Sequence, residues 1–213
     1  MIRIWVRVIW AVLLVLVLSS APAAWAGAPT DQFREGVDRV FKILQDPELK
    51  GDANATRRRA SVARVSEEIF DFRETAKRSL GQHWDARTPA ERAEYIRLFT
   101  DLIQRSYASQ VDHYGAEKLV YRGDTIDGDQ AVVRTAFLLN DGGQMALDYK
   151  MHQTSDHWRV YDIIIEGVSL VSNYRAQFNK VIRSESYEAL IARLKSTRVD
   201  SPAASPARRE SSQ

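Results

Sequence analysis

At Leu119 the hydrophobic period of the chain changes from 3.6 to 2, and that switch restricts the possible folds more than any other feature. The segments "LVYRGDTI", "QAVVRTAFLL", "QMALDYKMH" and "HWRVYDIIIE" read as four strands, separated by "DGD", "NDGG" and "TSD". Asp-Gly and Gly-Gly turns of this kind join antiparallel neighbours, so the four segments predict a meander. In the second, Val133, Thr135, Phe137 and Leu139 alternate with Val132, Arg134 and Ala136. In the third, Met145, Leu147, Tyr149 and Met151 alternate with Asp148, Lys150 and His152. One face is apolar and the other mixed, the pattern of an antiparallel sheet covered by helices.

The helices lie on both sides of this meander in the chain. Residues 31–45 carry Phe33, Val37, Val40, Phe41 and Leu44 at helical spacing, with Thr30 as the expected N-cap and Pro47 beyond the end. Residues 55–70 form a second helix whose "RRR" at 57–59 reads as a solvated face. A short third helix, "DFRETAKRSLG", is expected to stop at Gly81 in a left-handed conformation. In "TPAERAEYIRLF", Thr88, Pro89 and Glu91 spell a capping box before a stripe of Tyr95, Leu98, Phe99, Leu102, Ile103 and Tyr107. Two further helices are expected at 170–182 and 187–194. Helices, a meander, then helices again predict a single α+β domain.

The ends have other roles. Arg3 and Arg7, the apolar run Val8 to Leu18 and the small-x-small site Ala24-Trp25-Ala26 have the layout of a cleaved export signal over residues 1–26. The apolar run is shorter than the roughly 20 residues that span a bilayer. The chain has no cysteine, which excludes both a lipid-modified terminus and disulfides. Removing Arg3 and Arg7 leaves 30 − 2 = 28 basic residues against 28 acidic ones, a neutral domain unsuited to nucleic acid. The expected domain covers 27–197, and the Pro-, Ser- and Ala-rich tail at 198–213 is too polar to order itself.

Signatures of catalysis are lacking. The four histidines, His83, His113, His152 and His157, stand in separate segments, none with a metal-ligand partner at helical or strand spacing. "GVSLV" lacks the second glycine of a nucleophile elbow, so Ser169 reads as the N-cap of the following helix. One constellation remains. Asp162 lies in the most apolar strand and needs a partner, and Arg175, beside Tyr174, is the nearest candidate along the chain. The pair would be a structural ion pair or a ligand contact. No catalytic residue, metal or cofactor is expected.

Two long stretches, "LGQHWDARTPAERAEYIRLFTDLIQRSYA" and "DYKMHQTSDHWRVYDIIIEGVSLVSNYRAQFNKVI", resemble the MlaC family of periplasmic lipid-binding proteins. The shared pattern falls on Leu80, Gly81, Trp84, Thr88, Pro89, Arg92, Tyr95 and Phe99. It resumes at Trp158, Val160, Tyr161, Asp162, Gly167, Val168, Ser169, Leu170, Asn173, Tyr174, Arg175 and Phe178. The resemblance implies a monomeric phospholipid carrier, with acyl chains in an apolar cavity between a four-stranded sheet and the helices. It also implies an inner-membrane ABC transporter complex and an outer-membrane lipoprotein complex as partners, and a periplasmic location. The expected cargo is phospholipid, or another amphiphile such as a hopanoid.

Alternation and helical spacing choose the expected lining: Phe137, Leu139, Leu147, Tyr149 and Met151 on the sheet, with Leu98, Leu102 and Tyr107 on the capped helix. Tyr174 and Arg175 are expected at the rim. The rival reading is an isomerase-like enzyme with a cone-shaped pocket, using Asp162 or Tyr161 as acid-base groups.

Overall fold

The computed structural model describes residues 29–111, 119–139, 142–155 and 157–196; the expected export signal and tail lie outside them. The described elements, in chain order, are α1 (Pro29–Gln45), α2 (Ala55–Ile69), α3 (Phe72–Leu80) and α4 (Pro89–Val111). Then come β1 (Leu119–Asp127), β2 (Gln130–Leu138), β3 (Gln144–Gln153), β4 (Trp158–Ile165), β5 (Val168–Ser169), α5 (Leu170–Ser184) and α6 (Tyr187–Lys195). No described helix is long and apolar enough to cross a membrane.

The sheet is an antiparallel meander in the order β1-β2-β3-β4-β5. Its first four strands are those the period-2 pattern predicts. The fifth is an addition: two residues that pair Ile164 with Ser169 and Ile165 with Val168. A two-residue turn reaches it, with Glu166 at φ 48° and Gly167 at φ 81°. Positive φ at both central positions twists the backbone to suit an antiparallel hairpin. The Glu166 side chain is held by accepting the Ala146 N–H.

The start of α1 differs from expectation. The helix begins at Pro29, so Thr30 lies inside the first turn and cannot cap it. Asp124 supplies the acceptor instead, taking the Thr30 N–H at 3.0 Å and the Thr30 hydroxyl at 2.5 Å. A register shift between Tyr121 and Asp124 pairs Asp124 with Val133 and so turns its carboxylate to the face that α1 covers. A carboxylate at a helix N-terminus is favourable, and here it fastens α1 to the sheet.

The other helix ends follow local rules. Asp71 accepts the Glu74 N–H at 2.8 Å to start α3. The capping box of α4 forms as predicted: Thr88 N–H donates to Glu91 at 2.7 Å and Glu91 N–H to the Thr88 hydroxyl at 3.3 Å. The Thr88 N–H first, and the Thr88 hydroxyl donating at 2.9 Å second, hold the Glu91 carboxyl below its ordinary range. Arg58 of the basic run donates to the carbonyls of Leu49 (2.8 Å) and Gly51 (3.4 Å), which ties the start of α2 to the preceding turns.

Gly81 ends α3 at φ 56° and ψ −128°, so φ is positive as expected but ψ lies outside the left-handed helical region. Only glycine tolerates such angles without strain. A Cβ there would also sit 2.9 Å from Cδ of Arg175. Gly81→Ala should destabilise the fold by about 1–3 kcal/mol, read as a lowered urea midpoint.

Apolar packing divides into two cores. The helical core joins α3 to α6 through Leu80, Trp84, Tyr95, Leu98, Phe99, Leu102, Tyr174, Phe178 and Leu190. Its centre is a set of ring contacts: Phe99 meets Tyr174 edge-on at 5.2 Å and Phe178 at 5.7 Å. The buried Tyr95 hydroxyl shares a 2.7 Å hydrogen bond with Ser79. The sheet core joins α1 and α2 to the strands through Phe33, Val65, Ile69, Ala131, Val133, Met151, Trp158 and Val160.

Between the two cores the chain turns at Phe70–Asp71, and polar contacts fix that corner. Asp71 N–H donates to Val160 O at 2.8 Å, and Arg159 donates to Phe70 O at 2.7 Å. The Asp71 carboxylate meets the His152 ring at 3.1 Å.

Candidate functional site

Cross-strand partners project from the same face of a sheet. The register therefore places Tyr121, Thr135, Leu147 and Ile165 in one row across β1 to β4, and Leu119, Phe137 and Met145 in the next. Thr135 uses its hydroxyl on the Leu147 carbonyl at 2.7 Å, so its polar atom is already engaged. Met145, Leu147 and Ile165 are only half-buried, and none belongs to either packed core. Leu139, Val120 and Val168 lie at the same end of the sheet and are exposed. The apolar face thus runs from a closed floor under α1 and α2 to an accessible end.

The expected lining residues fall into three groups. Leu98, Leu102 and Tyr174 are buried in the helical core, and Met151 in the sheet core. Tyr149 packs against that sheet core, its ring centroid 4.2 Å from that of Phe33. Phe137 and Leu147 lie at the accessible end of the sheet, with Phe137 the more buried of the two. Leu139 is 37% exposed, just past the end of β2. The Tyr107 side chain lies outside the described residues. The structure therefore does not gather these positions into one lining, because helical spacing selects core and pocket residues alike. Ile165, which completes the Leu147 row, was not among the expected residues because a bulge in β4 breaks the alternation there.

The expected Asp162–Arg175 pair is not formed. Asp162 is buried on the opposite face of the sheet, level with Lys150. It accepts the Ser169 hydroxyl at 2.6 Å and the Val171 N–H at 3.0 Å. Two neutral donors at the start of α5 satisfy the carboxylate, and the helix dipole favours its charge. Ser169 is the N-cap, as expected, accepting the Ser172 N–H at 3.0 Å. Arg175 is exposed, at 3.4 Å from the Ser172 hydroxyl. Tyr161 is also engaged, with the Arg78 guanidinium 4.0 Å above its ring and His152 edge-on at 5.8 Å. The two groups assigned to the isomerase reading thus have structural duties.

Among the described residues no group of three or more His, Asp or Glu side chains could hold a metal ion. A separate cleft of about 250 Å³ opens between α3 and α4, lined by Arg73, Trp84, Pro89, Arg92, Ala93 and Ile96. It is smaller than the roughly 300 Å³ at which ordinary ligand pockets begin, and no strand contributes to it.

Comparison with known proteins fits this geometry. The chain is 19% identical over 172 residues to the intermembrane phospholipid transport system binding protein MlaC of Haemophilus influenzae, spanning 78% of this chain and 80% of that protein. The solved structure of the phospholipid-binding protein from Ralstonia solanacearum, in complex with a phospholipid, matches with a TM-score of 0.68. Its identity is 28%, over 80% of this chain and 96% of that one. The sequence model of the MlaC protein family matches residues 34–196, most of the chain and nearly all of the described fold. The antiparallel meander with its flanking helices is thus a shared architecture, and the chain belongs to the MlaC family.

Proposed function

We propose that the chain is a periplasmic carrier that holds the acyl chains of a phospholipid along the accessible end of its apolar sheet face. It would pass that lipid between an inner-membrane ABC transporter complex and an outer-membrane lipoprotein complex, and so maintain outer-membrane lipid asymmetry. The observation that carries the reading is the patch of half-buried apolar side chains on two adjoining rows, Met145 on one and Leu147 and Ile165 on the other, outside both packed cores. Family membership supports it, as do the phospholipid named in the Ralstonia complex and the transport system named for the Haemophilus relative.

The energetics require such a carrier. Two acyl chains hold roughly 30 methylenes, each costing about 0.8 kcal/mol to expose. Free passage through water would then cost on the order of 20 kcal/mol by the same figure. An apolar sleeve makes exchange with a bilayer nearly balanced, and it needs no nucleophile or metal.

The test is mass spectrometry of organic extracts from protein purified in its native host. Phospholipid at near-stoichiometric amounts is the expected result, and a protein that purifies empty overturns the reading. Recovery of a hopanoid would retain the carrier and change its cargo.

A further inference from the structure

Buried hydroxyls in native proteins are nearly always hydrogen-bonded, so an orphan calls for a reason. The Tyr121 hydroxyl oxygen is buried and has no hydrogen-bond partner among the described residues. Its ring is held in place: Phe33 meets it edge-on at 6.3 Å and the Arg34 guanidinium lies 4.5 Å from its centroid. Register puts Tyr121 in the same row as Leu147, two strands away and facing the same side. Two strand spacings separate their backbones by about 10 Å. An unused polar donor therefore stands at the β1 end of the row proposed to receive the acyl chains.

Burial pushes the Tyr121 phenol up to about 12, and the Asp38 carboxylate adds to this while Arg34 opposes it. The group is thus a neutral O–H donor at every physiological pH. Tyr149, its neighbour on β3, is raised as well, by burial first and by Tyr121 second, so the two phenols lie close together. A neutral hydroxyl that packs against the sheet core can meet a neutral acceptor without burying a further charge, whereas a phosphate would have to give up its water to reach it.

We infer that the Tyr121 hydroxyl donates a hydrogen bond to an ester carbonyl oxygen of the bound lipid and so fixes how deeply the acyl chains enter. This rests on the carrier reading above and adds to it a preference for acyl esters over alkyl ethers. The hydroxyl is a positioning and specificity group, and no covalent step is involved.

The experiment uses delipidated full-length protein, wild type and Tyr121→Phe. Each is reloaded from vesicles of dioleoyl phosphatidylglycerol and, separately, of its dialkyl-ether analogue, which lacks the carbonyl. Wild type is expected to retain the diacyl lipid about three- to tenfold better than the diether, the worth of one neutral hydrogen bond. Tyr121→Phe should hold both equally, while the thermal midpoint of the empty variant stays at or above that of wild type. That stability readout separates recognition from folding, because a hydroxyl with a structural partner would lower the midpoint when removed. Equal discrimination by wild type and variant overturns the inference and leaves the carrier intact. A wild type that loads neither lipid overturns the carrier reading itself.

Discussion

A Leu147→Arg variant is expected to purify folded but with at least about tenfold less bound lipid than wild type, equivalent to 1.4 kcal/mol or more of lost affinity. Leu147 lies midway along the Tyr121–Ile165 row and is half-buried, outside both packed cores. An arginine there can extend its stem along the apolar face and carry its charge to the rim, so the empty protein loses little. With acyl chains in place the charge would be trapped without a partner, at a cost of several kcal/mol. Circular dichroism and a thermal melt must accompany the lipid assay. Met151→Arg is the contrasting control, because Met151 is buried within the sheet core and its replacement should unfold the protein. A folded Leu147→Arg protein with its full complement of lipid would move the binding surface away from this row.

The second large effect concerns stability. Asp162→Ala should lower unfolding free energy by about 2–4 kcal/mol in urea titrations, because two buried donors lose their acceptor and the helix loses a favourable charge. Those donors are the Ser169 hydroxyl and the Val171 N–H. Asp162→Asn keeps an acceptor oxygen and should lose about half as much. Lipid retention below the melting transition should be unchanged in the asparagine variant. If lipid is lost while the fold is intact, the carboxylate has a binding role and the capping account is incomplete.

The sheet was the more legible half of the molecule, for a definite reason. Period-2 alternation in β2 and β3 follows from strand geometry alone, and the register pairs the residues that alternation groups together, Val133 with Tyr149 and Phe137 with Met145. The capping box of α4 was equally readable, since Thr88 and Glu91 satisfy each other within one turn. What escaped were contacts made across the chain. Asp124 caps α1 from 94 residues away, and no local pattern announces it. Asp162 was read as needing a cation, yet a hydroxyl and a backbone N–H from the next helix satisfy it.

The lining residues were the least legible. Leu98 and Leu147 are both apolar residues on apolar stripes, and only packing separates a filled core from an accessible face. Tyr121 was hidden further, because the register shift beside it disrupts the alternation of β1.

The bend at Phe70–Asp71 has a mechanical consequence. Greasy surfaces can slide over one another at small cost, whereas hydrogen bonds weaken steeply once they are tilted. The tilt between the helical bundle and the sheet is therefore governed by a handful of directional fasteners, among them Asp71 N–H to Val160 O and Arg159 to Phe70 O. They act as a rigid bracket at the start of β4, and the Asp162 bonds to Ser169 and Val171 pin the later part of the same strand to α5. Bundle and sheet are thus held at a fixed tilt along β4, while Leu139 and Val168 stay outward at the far end of the sheet.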